Sequence, residues 1–217
     1  MNVHSSRAMF VDFDGTIVIQ DTARMALNWH ADPDWVQIEE AFEGGEMTFE
    51  ESLRREYAML KVSEEVIIKE MSRFTELRPN FGRLVEYCKR QSVPLTVLSG
   101  GFDFCIRHFL NQDGWLNFVE IYSPTSRYTE NGYVVTFPQK FASVSTNFKD
   151  DLVRHERKNG TRVYFVGDGF GDFSAAKESD AVFAIKESRL ATLCREHNLP
   201  HTEIDDFRQV VDALGEA

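Results

Sequence analysis

The chain reads as an α/β protein: a doubly wound domain on a mostly parallel sheet, with a small helical subdomain inserted after the first strand. Three observations predict this. Short apolar runs recur at residues 8–12, 95–98, 163–166 and 181–185, each too short for a typical helix and rich in β-branched or aromatic side chains. Each run is followed by polar or glycine-rich residues. Helical stripes lie between the runs, formed by Phe81, Leu84, Val85 and Cys88 before the second and by Phe148, Leu152 and Val153 before the third.

The first run ends in Asp12, Phe13, Asp14, Gly15 and Thr16. Residues two apart on an extended strand face the same way, so Asp12 and Asp14 converge where Gly15 lets the backbone turn. Such a pair suits a hard cation, nucleophilic attack by a carboxylate, or both.

Residues 17–77 differ in character. Phe49, Leu53, Tyr57 and Leu60 recur at helical spacing, as do Ile67, Met71 and Phe74, while Asp32-Pro33 and Gly44-Gly45 interrupt the pattern. This predicts a helical cap over residues 17–77, inserted into a core made of residues 1–16 and 78–217. The stripes are read as core packing, and the insertion could lid a site.

The second run passes from Val97 and Leu98 into Ser99, Gly100 and Gly101, before helical spacing over residues 102–110. Backbone amides at that turn would face an anion and Ser99 could donate a further hydrogen bond, although a strand-to-helix turn needs small residues on steric grounds alone. Residues 122–137 read as a hairpin turning at Glu130-Asn131-Gly132. Lys149 lies on the helix leading to the third strand. It is either a solvated helix lysine or a cation that offsets the aspartates and a phosphate. Lys140 competes for that part but sits close to the hairpin.

The third strand ends in Gly167, Asp168, Gly169, Phe170, Gly171 and Asp172, where two acids around glycines could hold a metal or form a polar surface turn. In an open α/β sheet, ligands bind beyond the carboxyl ends of the strands. Asp12, Ser99 and Asp168 are all expected there, which makes one site from several weak signals.

Composition sets limits. The 217 residues carry 42% hydrophobic and 27% charged content, as in an ordinary globular chain. The net charge of -11 argues against a general nucleic-acid or anionic-membrane binder, so an anionic ligand needs local help. The apolar runs fall far short of the roughly 20 residues that a membrane span requires. No export signal is expected at residues 1–7, and Cys88, Cys105 and Cys194 fit neither a disulfide framework nor a zinc cluster. A cytoplasmic setting is the expectation.

Taken in order, DFDGT, the serine of LSGG, the downstream lysine and GDGFGD resemble the haloacid dehalogenase superfamily of phosphohydrolases across essentially the whole chain. The resemblance implies a Rossmann-like core and a first-type cap. It implies that Asp12 is a nucleophile forming an aspartyl-phosphate, and that Asp14 protonates the leaving oxygen and then activates water. It further implies Mg²⁺ held by Asp12, the backbone carbonyl of Asp14 and Asp168, with Asp172 in support. Ser99, Gly100 and Lys149 would bind the phosphoryl group of a small phosphorylated metabolite. Asp14 serves a phosphate ester better than a carbon-halogen bond.

Two branches of the superfamily are similar. Residues 42–54 and 99–103 resemble phosphoserine phosphatases, with two departures: Glu56, beside Arg55, stands where those enzymes hold the substrate carboxylate with an arginine, and Asp21 stands where they place a glutamate toward the substrate amine. Residues 31–35, Asp21, residues 99–104 and the short spacing from Lys149 to Asp168 resemble the phosphatases acting on 2-hydroxy-3-keto-5-methylthiopentenyl-1-phosphate. Residues 143–148 replace a cysteine-rich segment found in some of those. Asp21, Arg55 and Glu56 are thus the candidate substrate residues of the cap. A non-catalytic phospho-ligand binder and a phosphotransferase are the competing classes, and the oligomeric state is left open.

Overall fold

A computed structural model describes residues 7–142 and 145–215. Residues 1–7 were read as carrying no export signal and residues 143–148 as replacing a cysteine-rich segment; of these, residues 1–6, 143 and 144 lie outside the described chain. The elements run β1 (Arg7–Val11), α1 (Thr22–His30), α2 (Trp35–Glu43), α3 (Phe49–Ala58), α4 (Glu64–Phe74), α5 (Phe81–Gln91), β2 (Leu95–Leu98) and α6 (Asp103–Gln112). They continue through β3 (Glu120–Tyr122), β4 (Thr125–Thr129), β5 (Gly132–Thr136), α7 (Phe148–Lys158), β6 (Arg162–Gly167), α8 (Phe173–Glu178), β7 (Ala181–Ile185), α9 (Arg189–Glu196), β8 (Thr202–Ile204) and α10 (Phe207–Ala213).

The main sheet has the order β3-β2-β1-β6-β7-β8 with every neighbouring pair parallel. The order reverses at β1, which lies between β2 and β6. Side chains alternate across the pleat: Met9, Val11, Tyr164 and Val166 enter one apolar layer with α5, α6 and α10, while Ala8, Phe10, Val163 and Phe165 enter the other with α7, α8 and α9. Burial on both faces explains why these strands are unbroken apolar runs.

Two edge strands, β3 and β8, were absent from the sequence reading. Each has only three residues, too few to show a period. Tyr122, read as the start of the hairpin, instead closes β3 against Leu98, and the hairpin proper is β4 with β5.

The chain leaves the core after β1 and returns before α5. The crossing is tied by an antiparallel bridge between Val18 and Leu77 and by Ile19 N–H donating to the Glu76 carbonyl at 2.8 Å. The intervening α1 to α4 bury Leu27, Trp35, Tyr57, Ile67 and Met71. Phe74 departs from its expected place in the stripe: it is exposed and meets Trp29 edge to face. The hairpin braces this unit, with Tyr133 Oη donating to the Val62 carbonyl at 2.9 Å. No described helix is long and apolar enough to cross a membrane, and the three cysteines are free and buried.

Candidate active site

The ends of β1, β2 and β6 converge beside the point where the strand order reverses. Immediately after β1 the chain makes a tight turn closed by Val18 N–H donating to the Phe13 carbonyl at 3.1 Å. Gly15 has φ of +69°, and a Cβ there would collide with the Asp168 carboxylate. Only glycine meets both demands. Arg78, where the chain re-enters the core, fastens the turn by donating from Nη2 to the Gly15 carbonyl at 2.7 Å and from Nε to the Thr16 carbonyl at 2.8 Å.

Asp12 is 8% exposed. Its Oδ1 accepts from Phe13 N–H at 2.8 Å and lies 3.0 Å from Lys149 Nζ, while its Oδ2 accepts no hydrogen bond among the described residues. Burial and the nearby Asp172 carboxylate push the Asp12 pKa up to about 7 against the pull of Lys149. Asp14 turns to the other wall, where its Oδ1 accepts from the N–H and Oγ1 of Thr22 at 2.8 and 2.5 Å. Its Oδ2 is buried without a hydrogen-bond partner among the described residues. Enclosure, with the charges of Asp21 and Asp12, holds its pKa well above the usual carboxylate range despite the Thr22 bonds. Both effects favour the neutral, proton-carrying form of the acid.

Asn147 opens α7 by accepting from the N–H groups of Lys149 and Asp150 at 2.8 and 3.1 Å. This cap fixes the first helical turn and sends Lys149 inward. The lysine is 2% exposed, with Nζ between Asp12 at 3.0 Å and Asp172 at 2.7 Å. Burial alone would lower its pKa, but the two carboxylates outweigh that and raise it. It is therefore a buried, paired cation rather than a solvated one. Lys140 pairs with Glu50 at 2.9 Å, away from the cleft.

After β6, Asp168 Oδ1 accepts from Thr16 Oγ1 at 2.7 Å. Burial, Asp12 and Asp172 raise its pKa well above normal. Asp172 is fully buried: Oδ1 takes the lysine, and Oδ2 accepts the N–H groups of Asp168 and Gly169, both at 3.0 Å. Oxygens of Asp12, Asp168 and Asp172 lie within 4.8 Å of one another. The donors are all hard oxygens, and one ammonium leaves several carboxylates uncompensated, so the residues fit a hard divalent cation.

After β2, Ser99 is buried and its Oγ accepts from Gly101 N–H at 3.1 Å, which leaves its O–H free to donate. The Gly100 carbonyl accepts from Tyr57 of α3 at 3.0 Å, linking this loop to the inserted helices. A Cβ on Gly101 would overlap Asp14 Oδ2, so the loop can approach Asp14 only without a side chain.

Together these groups line a cleft of about 380 Å³ roofed by Asp21, Arg24, Leu27, Trp35, Phe49 and Glu56. Of the candidate cap residues, Asp21 and Glu56 face the cleft. Arg55 does not: it lies exposed on the outer face of α3, paired with Glu51. Sequence reasoning singled out Thr16 within DFDGT but gave it no role, and it missed Thr22, Arg78 and Asn147, which position the charged groups. Of these three only Asn147 left a recognisable signal, a helix-start residue with Asp150 three positions on.

This arrangement is that of a hydrolase family. Residues 9–177 match the model of the haloacid dehalogenase-like hydrolases, and the chain belongs to that family. Among its relatives, the 2-hydroxy-3-keto-5-methylthiopentenyl-1-phosphate phosphatase of Geobacillus kaustophilus is 29% identical over 95% of this chain and 94% of its own. The protein of the same name from Bacillus pumilus is 27% identical over 90% and 85%. Among solved structures, a phospho-aspartyl intermediate analogue of phosphoserine phosphatase has a TM-score of 0.70 at 19% identity, covering 95% of this chain and 98% of that one. A substrate-bound phosphoserine phosphatase complex has a TM-score of 0.70 at 17% identity, covering 96% and 98%. At such identities the likeness concerns the fold.

Proposed function

We propose that the protein is a phosphomonoesterase that hydrolyses a small phosphorylated metabolite through an aspartyl-phosphate. The observation that carries this reading is the Asp12 carboxylate, with one oxygen anchored by Phe13 N–H and Lys149 and the other free toward the cleft. Residues 1–16 and 78–217 form the catalytic core, and residues 17–77 the cap that encloses the substrate.

Asp12 Oδ2 attacks phosphorus as the ester P–O bond breaks, and Asp14 gives its proton to the departing alkoxide. Asp14, now ionised, takes a proton from the water that attacks the aspartyl-phosphate, releasing inorganic phosphate and restoring Asp12. The raised pKa of Asp14 suits the first half-reaction, and its accepting bonds from Thr22 suit the second. Lys149, the Ser99 hydroxyl and the Gly100 amide hold the phosphoryl oxygens. They supply the local positive field that a chain of charge -11 otherwise lacks. Asp12, the Asp14 carbonyl and Asp168 would hold Mg²⁺, with Asp172 bracing the cluster. The ion would offset the charge between carboxylate and phosphate.

The relatives supply the first compound to test, 2-hydroxy-3-keto-5-methylthiopentenyl-1-phosphate. Phosphoserine is the second, favoured by Asp21 at the cleft wall. Its carboxylate would need a free cation, yet Arg24 is paired with Glu39 and Arg189 with Glu43. A phosphate-release screen over a metabolite panel with Mg²⁺ tests the reading. Mg²⁺-dependent turnover that disappears in Asp12→Asn is expected, and full activity in that variant would refute the mechanism.

A further inference from the structure

Above the reacting groups, the cap brings a second set of charges to the cleft. Asp21, Arg24, Glu39, Glu43 and Glu56 line it from the cap, and Arg189 lines it from the core. Most are already engaged. Arg24 pairs with Glu39, Arg189 with Glu43 at 3.1 Å, and Asp21 accepts the Arg24 N–H at 2.8 Å as the cap of α1.

Glu56 is the exception. It is 8% exposed, yet its carboxylate accepts no hydrogen bond and forms no ion pair among the described residues. Its side chain opens onto the cleft. Burying an unpaired carboxylate is costly, and here the cost is increased by two like charges. Burial first, then Glu39 and Asp21, raise its pKa to about 7, with only partial relief from Arg24. Replacement by an uncharged residue would remove that penalty from the free protein, so the compensation must come from what enters the cleft.

We propose that Glu56, flanked by Glu39 and Asp21, selects phosphomonoesters whose alcohol portion carries an ammonium group. The inference deepens the phosphatase reading and rests on it. A ligand ammonium would donate to Glu56, turn the repulsion among the three carboxylates into attraction, and leave its carbon chain against Leu27, Trp35 and Leu53, which line the same cleft. The compound in the relatives' name carries hydroxyl, ketone and methylthio groups and no cation. Such a tail would leave Glu56 buried and unpaired.

The test uses the full chain with Mg²⁺ and two matched series, ω-aminoalkyl and ω-hydroxyalkyl phosphates of two to five carbons, with p-nitrophenyl phosphate as a tail-independent reference. At the best chain length, kcat/KM for the amino compound should exceed that for its hydroxyl partner by about tenfold or more, the scale of one charge-assisted hydrogen bond. In Glu56→Gln this ratio should fall to about one. A ratio near one at every length in the unmodified protein, or one unchanged by Glu56→Gln, would overturn the inference. Turnover of p-nitrophenyl phosphate without amine preference defeats this inference alone, whereas no Mg²⁺-dependent turnover of any compound defeats the phosphatase reading. Calorimetric binding of ω-aminoalkyl and ω-hydroxyalkyl phosphonates then decides the matter independently. Tighter binding of the amine, lost in Glu56→Gln, supports the inference, and equal binding overturns it.

Discussion

Replacing Glu56 by glutamine should stabilise the ligand-free protein, and only where the carboxylate is charged. Burial, Glu39 and Asp21 raise the Glu56 pKa from 4.5 to about 7. An acid whose folded pKa lies above its unfolded value costs nothing below the unfolded value. The cost grows as pH rises between the two and is complete above the folded one. At ~1.4 kcal/mol per unit of pKa the ceiling is ~3 kcal/mol at pH 8, and water entering the cleft reduces this to ~1–2 kcal/mol. A domain of this size shifts by about 2–4 °C per kcal/mol, so Glu56→Gln should raise Tm by ~3–6 °C at pH 8. At pH 5 the gain should shrink to about a quarter of that, because the folded-state carboxyl is then neutral. Thermal unfolding of both proteins at the two pH values measures it. An equal shift at pH 5 and pH 8, or a lower Tm at pH 8, would refute the assignment of Glu56 as an unpaired buried carboxylate.

Three other substitutions probe the reacting groups. Gly15→Ala forces a side chain into positive φ and against Asp168; it should cost ~1 kcal/mol or more in stability and raise the Mg²⁺ concentration for half-maximal activity about tenfold, read from a Mg²⁺ titration. Thr22→Val removes the hydroxyl bond to Asp14 Oδ1 but keeps the backbone one; kcat should fall by roughly 10 to 100-fold with KM nearly constant, as expected for a group that positions the acid. Lys149→Met leaves Asp12 and Asp172 buried without their shared cation; Tm measured at pH 8 should drop by an amount equivalent to ~3–5 kcal/mol, and part of the loss should be recovered near pH 5 as carboxylates protonate.

Much of this was legible in the sequence, for physical reasons. A strand buried on both faces must be a continuous apolar run. The strands beginning at Arg7, Leu95, Arg162 and Ala181 are buried in that way, and the loops after the first three carry Asp12, Ser99 and Asp168. The edge strand Glu120–Tyr122 is partly exposed and only three residues long, so pairing with its neighbour, rather than composition, makes it a strand. Helical periodicity groups residues by face but leaves open which face meets the core. Phe74 therefore reads as buried although it points outward, and Arg55 and Glu56 are indistinguishable until the orientation of their helix is known. Arg78 acts on Gly15 from 63 positions away, and Thr22 reaches Asp14 across the turn that separates the first strand from the first cap helix, so no helix or strand periodicity marks either contact.

The most direct test of the account is to trap the acyl phosphate. The protein is quenched in acid during turnover of a ³²P-labelled substrate with Mg²⁺ present, and the label is located by peptide mapping. The account predicts label on the peptide containing Asp12, removable by hydroxylamine and absent from Asp12→Asn. Steady turnover with no label on that peptide, or label persisting in Asp12→Asn, would contradict it.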